Sequence, residues 1–184
     1  MDTIIGRVLA LVVGALAIVG VYEAYANVMD NQHVASLQQE LSVFQQNITT
    51  QYQRRPGRYA FGTLSTATAI ANQLAPSSAV NSALLTNPFN GNYVVVGNNV
   101  YSGPATTFGV WADNVPVAMC VKAVETFGTG GGLNGGPIYG YGVAANASGS
   151  PTVNTTIPDT DTNANSNCSA PGGGTVAVLM VFNG

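Results

Sequence analysis

The sequence predicts an α+β protein in which one long N-terminal helix precedes a β-rich region. Three observations predict this class. The chain opens with an apolar segment, a helical apolar pattern continues from it without proline as far as Tyr52, and valine-rich runs bounded by Gly and Asn fill the later part. The 184 residues suffice for one domain in addition to the leading helix.

The apolar segment contains fifteen uncharged residues after Arg7, fewer than the about 20 that cross a bilayer comfortably. With Ile4 and Ile5 added, and with the Arg7 side chain extended towards the headgroups, the segment is long enough to span. Three interpretations follow: a signal peptide cleaved at Ala-Tyr-Ala (24–26), a membrane anchor for an external domain, or an oligomerisation helix. Asp2 argues against the signal peptide, so we expect the segment to be retained.

In the second half of the predicted helix, apolar residues recur at spacings of 3, 4, 3, 4 and 4, the pattern of one buried face. They are Val34, Leu37, Leu41, Phe44, Ile48 and Tyr52. Pro56-Gly57 ends the helix, and Gly14 and Gly20 are positions where it can break or bend. We expect residues 1–24 to form an apolar helix for a membrane or a filament core, and residues 25–184 to form a globular domain that includes the outer half of the helix.

The middle of the chain carries local signals for short elements. Residues 63–86, rich in Ala, Leu and Asn, predict one or two short helices interrupted by a proline. Residues 87–96 predict a turn followed by a strand, and residues 107–112 predict a second strand. Residues 115–127 predict a short helix, with Pro116 near its first turn.

The last third of the chain is predicted to be mostly loop, with two strands. Nine glycines in the 22 residues 128–149 indicate a loop that contains a strand at 138–143. Residues 150–167 are rich in Thr, Asn and Asp and predict a surface loop. The continuous apolar run at 175–182 predicts a central strand covered on both faces.

Charged residues make up only 7% of the chain, against about a quarter in an average protein. Four acidic and four basic residues cancel within positions 1–58, and the rest carry a net charge of −3. No basic face for nucleic acid results, so no specific nucleic-acid partner is expected. Few charges with many Asn, Thr, Ser and Gly are typical of a secreted β-rich surface protein and suit a chain that packs against copies of itself.

The two cysteines, Cys120 and Cys168, are separated by 47 residues. This spacing fits neither a metal site nor a redox pair. In an exported protein the expected state is a disulfide, which would stabilise the fold by about 4 kcal/mol in the chain-entropy model. Two buried free thiols remain the alternative.

No arrangement of residues predicts catalysis. His33 is the only histidine, and we interpret it as a polar residue on the helix surface. Cys120 has no evident activating partner. Asp159 and Asp161 lie in a segment where oxygen ligands alternate, but the central glycine and closing glutamate of an EF-hand are missing, and we interpret it as a solvated loop. We therefore predict no enzyme, no metal and no cofactor.

Arg54, Arg55 and Arg58 form the densest cluster of like charge. Such a cluster could hold DNA or an acidic neighbour. Cations at the end of a helix more often interact with the helix dipole, which is the interpretation favoured here.

Three features follow one another along the chain. They are the apolar helix, the Asn-Pro-Phe-Asn-Gly stretch at 87–91, and a cysteine pair with one member on a helix at 119–124 and the other just before the last strand. With them the whole chain resembles a type IV pilin, and more closely the type IVb branch that includes toxin-coregulated and conjugative thin pili. The resemblance implies a pilin fold, with the long helix packed on an antiparallel β-sheet and a C-terminal region closed by a Cys120–Cys168 disulfide.

One position departs from the family pattern. Most type IV pilins carry a glutamate at the fifth mature position, where it is thought to pair with the N-terminal amine of a neighbouring subunit. Counted from Met1, this chain has Ile5 there. We expect Asp2 to pair with the amine or with Arg7 of its own or a neighbouring subunit, and assembly without the contact is the alternative. A removed leader peptide and a methylated N-terminus would agree with the family.

The resemblance implies a structural protein, the major subunit of a bacterial pilus. The apolar helix would hold the subunit in the inner membrane until the pilus assembly machinery extracts it into an extracellular helical homo-oligomer. In the filament we expect one set of side chains to be buried between subunits, namely Leu9, Val12, Val13, Leu16 and Val19. The fibre surface would serve adhesion, aggregation or conjugative contact with host or recipient cells.

Two alternatives accompany this interpretation. The chain could be a minor pilin, a tip adhesin or a secretion pseudopilin, which stoichiometry in purified fibres would reveal. It could also be a membrane-anchored extracytoplasmic binding or enzymatic domain that never polymerises, in which case sheared material would contain no filaments of it.

Overall fold

A computed structural model describes residues 2–53, 61–97, 106–129, 138–155, 161–169 and 171–183. The chain divides into two compact units, Met1–His33 and Val34–Gly184. The two units are considered separately below.

The first element, α1, is an α-helix of 52 residues, Asp2–Gln53. Its helical assignment continues through Gly14 and Gly20. A break or bend at these glycines therefore stays a prediction for the assembled state.

Within the second unit, the predicted apolar stripe of α1 forms the core-facing side of the helix. All six of its members, from Val34 to Tyr52, are buried, with at most 6% of their surface exposed. Ring contacts link this face to the sheet: Phe44 lies edge-on to Tyr93 at 5.2 Å, and Tyr52 lies 5.1 Å from Phe61. Phe61 in turn contacts Phe108 at 4.9 Å. The helix and the sheet thus share one aromatic core.

The main sheet has four antiparallel strands in the order β3-β4-β6-β5. Their bounds are Tyr93–Gly97 for β3, Thr107–Pro116 for β4, Ile138–Ala144 for β5 and Thr175–Asn183 for β6. The predicted α+β class, with a helix packed on an antiparallel sheet, is confirmed.

Strand β6 is central and buried on both faces, as the continuous apolar run predicts. Its alternate residues Val178 and Met180 point into the core shared with α1. The residues between them, such as Leu179, join a second cluster around Trp111 of β4 on the opposite face. A strand with two buried faces needs no polar alternation, which explains the unbroken apolar sequence.

The segment 63–86 contains one short helix, within the one or two predicted, and a hairpin that was not predicted. It begins with a 3-10 turn at Phe61–Thr63 and the short helix α2, Thr66–Ala71, whose capping box is formed by Ser65 and Thr68. Instead of a second helix, the strands β1, Val80–Asn81, and β2, Leu84–Leu85, form a small hairpin. The hairpin turn holds Ser82 at a φ of 56°, a left-handed conformation that is incompatible with a continuing helix.

The predicted helix at 115–127 begins two residues later than expected, because β4 continues to Pro116. Val115 pairs with Val176 and Pro116 with Thr175 after a register shift. Proline is tolerated at a strand end, where the missing N–H removes no ladder bond. The helix α3 then spans Val117–Thr129.

The expectation of a surface loop throughout 150–167 is wrong at its end. Residues Asp161–Ser169 form a helix, α4. Its only apolar side chains, Ala164 and Cys168, lie four positions apart and both are fully buried. One turn of apolar spacing is too little to stand out from a polar segment, so tertiary packing and the disulfide decide this element.

Candidate assembly interface

The first unit carries a run of exposed large apolar side chains on α1. They are Val13, Leu16, Ile18, Val21, Tyr22, Tyr25 and Val28, and their exposure ranges from 53% to 72%. Elsewhere in the described part of the chain only Val80 and Leu84 are large, apolar and exposed. A contiguous exposed apolar surface of this kind marks a site of association with protein or lipid.

Two of the residues predicted to be buried between subunits can be located. Val13 is 58% exposed and Leu16 is 66% exposed, so both side chains are accessible to a partner. The side chains of the other predicted assembly residues lie outside the described part of the chain. They are Asp2, Ile5, Arg7, Leu9, Val12 and Val19.

Among the helices in the described ranges, none combines the length and the apolar character that a membrane crossing requires. This finding does not extend to residues 1–12, which are described as helix from residue 2 but whose side chains are not described.

One edge of the main sheet, strand β3, is covered by the segment that precedes it. The Val95 backbone N–H donates to Thr66 Oγ1 at 3.0 Å, and Ser65 forms a β-bridge with Val96. Next to them, Gly97 lies against the Phe61 carbonyl so closely that a side chain would overlap it. The edge therefore presents no free row of backbone groups at these positions.

The opposite edge, strand β5, is covered by the segment 151–154. Tyr141 and Asn154 exchange two backbone hydrogen bonds, of 3.1 and 2.7 Å. Two glycines of β5 allow this close approach: a Cβ on Gly140 would lie 2.7 Å from the Asn154 carbonyl oxygen, and one on Gly142 would lie 2.9 Å from Pro151. Both sheet edges are thus blunted by the chain itself.

The Asn-Pro-Phe-Asn-Gly stretch forms a turn that is clamped onto β4. The buried Asn87 side chain accepts from the N–H groups of Phe89 and Gly91, at 2.9 and 3.1 Å, and donates to the Asp113 carbonyl at 2.6 Å. Asn114, held at a φ of 60°, donates back to the Phe89 carbonyl at 3.1 Å. The motif therefore docks on the irregular part of β4, where the register shifts.

The predicted disulfide between Cys120 and Cys168 is confirmed. The two Cα atoms are 6.0 Å apart, and both cysteines are fully buried. The bond joins α3 to α4 and so holds the segment that leads into β6. Free thiols are absent from the described residues, which excludes the alternative state for this pair.

A polar cluster that sequence reasoning missed connects α1 to the sheet. The half-buried Glu40 carboxylate accepts from the Tyr93 hydroxyl at 2.7 Å and from the Ser78 hydroxyl at 2.8 Å. Burial, followed by the charge of Glu40 and this hydrogen bond, raises the pKa of Tyr93 far above its usual range. Tyr93 therefore remains a donor, and the carboxylate is fixed in orientation. In the sequence, the feature that could have indicated this cluster is the position of Glu40 between Leu37 and Phe44 of the buried stripe.

The remaining candidates from the sequence are a metal site, the single histidine and the arginine cluster. Within the described residues no group of three His, Cys, Asp or Glu side chains is placed to hold a metal ion. His33 is half-buried on α1. Asp159 and the cluster Arg54, Arg55 and Arg58 lie outside the described ranges.

Comparison with known proteins agrees with this architecture. Residues 31–182 match the family described as PilS N terminal. The fold is similar to that of a type IVb pilin from Salmonella typhi, with a TM-score of 0.53 and 21% identity over 79% of this chain and 99% of that one. TcpA, a type IV pilin from Vibrio cholerae El Tor biotype, gives a TM-score of 0.49 and 17% identity over 83% of this chain and 99% of that one. No curated protein sequence matches significantly.

The family match covers most of the chain and spans the core-facing part of α1, the clamped turn, the disulfide and the central strand. The likeness to the Salmonella typhi pilin independently gives the same fold. The chain belongs to the PilS N-terminal family of type IV pilins and has the fold of the type IVb branch.

Proposed function

We propose that this protein is the major structural subunit of a type IVb-like bacterial pilus and that it assembles through the apolar part of α1. The observation that carries the proposal is the row of large apolar side chains from Val13 to Val28, each more than half exposed in the single chain. Family membership supports a filament of identical subunits. An exposed apolar helix is what such a filament would bury.

The energetics favour burial of this surface. Fully burying one large apolar side chain is worth about 1.5–3 kcal/mol. Relative to exposure to water, seven such side chains, each 53–72% exposed in the single chain, contribute about 7–14 kcal/mol on burial. This is similar in size to the about 4–15 kcal/mol lost with rotational and translational freedom on assembly. Before assembly, the same surface would be accommodated by the inner membrane, and the assembly machinery would transfer it from lipid to protein.

The sheet edges support assembly through helices over assembly through strands. A fibre built by strand addition needs a free edge. Here Thr66 caps an N–H of β3, and Asn154 pairs with the middle of β5. The globular unit would then form the outer layer, where its Thr-, Asn- and Gly-rich loops meet host or recipient cells, in adhesion, aggregation or conjugation.

The N-terminal charges would complete the assembly contact. A carboxylate in an apolar filament core costs several kcal/mol unless a cation pairs with it. We expect Asp2 to pair with an α-amine or with Arg7, so Asp2→Asn and Arg7→Leu should each reduce piliation, counted by electron microscopy. The matched control is Gln46→Asn, on the exposed side of α1. Normal piliation in both variants would contradict the pairing.

The experiment that tests the function is electron microscopy of fibres sheared from cells, combined with mass spectrometry of their subunits. We expect this chain to be the dominant component of the fibres, with Cys120 and Cys168 oxidised. A trace amount would indicate a minor pilin, and fibres without the chain would overturn the proposal.

A further inference from the structure

A polar groove of about 380 Å³ opens beside Glu40, between α1 and the turn at 76–78. One carboxylate oxygen accepts from Ser78 and the other from Tyr93, and both partners are neutral. The described residues bring no cation to this carboxylate. A half-buried carboxylate without a cation is suited to receive one from outside the chain.

The carboxylate has acceptor positions left for a guanidinium group. Each carboxylate oxygen offers two acceptor positions, and the two hydroxyls occupy one on each oxygen. The remaining pair can accept the parallel N–H donors of one arginine. Ser36 and Gln39 line the groove with further acceptors, and Val43 provides an apolar wall for the arginine methylenes.

The chain itself supplies a cation of this kind. Of its five basic residues, three arginines lie within positions 54–58, directly after the last helical residue of α1. The acidic residues Glu23, Asp30 and Glu40 all precede them on the same helix. Parallel copies of such a helix therefore place bases beside acids when they are staggered along their axes. Gln53, the last residue of α1, lies 13 positions after Glu40, so a stagger of about 20 Å, at 1.5 Å per residue, brings the helix end that precedes the arginines level with Glu40.

We propose that the groove beside Glu40 binds an arginine from positions 54–58 of a second copy of this chain in the fibre. This inference rests on the proposed function, because it requires a fibre of parallel, staggered subunits. The contact sets the axial register, which the apolar surface of the helices alone specifies poorly.

Charge exchange tests the contact. Glu40→Arg should lower the yield of sheared fibres about tenfold or more, and one of Arg54→Glu, Arg55→Glu or Arg58→Glu should do the same. Combining that variant with Glu40→Arg in one chain should restore the yield to within about threefold of the wild type. Ser42→Arg, an exposed position on the same helix, is the matched control and should leave the yield unchanged. If the Glu40→Arg chain folds and none of the three combinations restores fibres, the proposal is overturned.

Co-expression separates a contact between copies from one within a chain. A cell that makes the Glu40→Arg chain together with the rescuing Arg→Glu chain should form mixed fibres, since each copy meets an opposite charge on its neighbour. Rescue only when both changes are in one chain would overturn the proposal.

Glu40→Gln covers the case in which Glu40→Arg fails to fold, because it keeps the shape of the side chain. Wild-type fibres should release more subunits when NaCl rises from about 0.1 to 1 M, which shortens the screening length from about 10 to 3 Å. Glu40→Gln fibres should show no such increase, and equal salt sensitivity would contradict the contact. If wild-type cells form no fibres of this chain at all, the proposed function fails before the register contact is tested.

Discussion

At the scale of single residues, a few close contacts organise particular parts of this fold. The Asn87 side chain makes three hydrogen bonds that organise one turn, and Gly91 lies where a side chain would overlap the Asp113 carbonyl. The Glu40–Tyr93 contact links the helix to the sheet through one hydroxyl. Each of these contacts can be tested by removing or adding a few atoms.

Tyr93→Phe removes the hydroxyl but keeps the ring against Phe44. We expect a loss of about 1 kcal/mol in the free energy of unfolding. This is less than a hydrogen bond to a fully buried charged group contributes, because the Glu40 carboxylate is half-exposed and partly screened by water. Unfolding in urea can be followed by fluorescence of the single tryptophan, Trp111, which is fully buried. Tyr22→Phe, at a side chain 72% exposed, should change nothing.

The same variant carries a pH signature. Because the pKa of Tyr93 is raised in the folded state, the unfolded chain releases this proton first, so its contribution to stability is full below about pH 10 and declines above it. The stability difference between wild type and Tyr93→Phe should therefore shrink as pH rises above about 10. A difference that stays constant from pH 7 to 11 would contradict the raised pKa.

Gly91→Ala tests the clamped turn. A Cβ at this position would overlap the Asp113 backbone carbonyl, so the turn must move away from β4. We expect a loss of about 1–3 kcal/mol, measured by the same urea titration. Gly174→Ala is the control, since a Cβ there would meet nothing within 4 Å. Equal stability of the two variants would show that the turn is not tightly clamped.

At the scale of elements, the sequence predicted those whose pattern is long and regular. The stripe from Val34 to Tyr52 and the apolar run at 175–182 each contain many apolar side chains, so one atypical residue does not hide the pattern. The hairpin at 80–85 and helix α4 depend on one turn conformation and one disulfide, which leave almost no periodic signal. Glu40 was missed for a related reason: its partners are 38 and 53 residues away, and no local spacing reveals them.

The disulfide joins helix α4 to α3, so we expect its removal to loosen α4. Replacing both Cys120 and Cys168 by Ala should lower the free energy of unfolding by about 4 kcal/mol, because the unfolded chain loses the constraint of a 48-residue separation. Hydrogen exchange should then show faster opening of α4 than of β6. The single variant Cys120→Ala, which breaks the bond but leaves the Cys168 thiol in place, is the comparison for the double variant. Unchanged exchange in α4 would mean that its other contacts, such as buried Ala164 and the hydrogen bond from Asn167 to the Tyr141 hydroxyl, hold the helix without the disulfide.

The N-terminal half of α1 exposes large apolar side chains, whereas the apolar stripe of its C-terminal half is buried. Leu16→Asp places a charge on the exposed apolar surface, so fibres should not form, while Trp111 fluorescence and the urea midpoint of the globular unit stay unchanged. Leu16→Met keeps the apolar character and should form normal fibres. Normal fibres from Leu16→Asp would exclude burial of this position.

At the scale of the whole molecule, the two units have opposite surface chemistry. The first presents large apolar side chains, whereas the second encloses its apolar side chains almost completely and blunts both edges of its sheet. In the proposed assembly, association would therefore be directed to α1. The low content of charged residues suits such a chain, because few charges keep the electrostatic repulsion between neighbouring subunits small.

The position of β6 has a consequence for the order in which the molecule can be made. It is the last described strand in the sequence, yet it lies between β4 and β5, which do not pair with each other. A ribosome or a translocation channel that releases the chain from its N-terminus delivers α1 before the strands of the sheet, and β6 after the other three strands. Until β6 is released the four-stranded sheet cannot be completed, so folding of the globular unit must wait for this strand. The apolar helix can therefore enter its membrane or protein environment before the domain attached to it has folded.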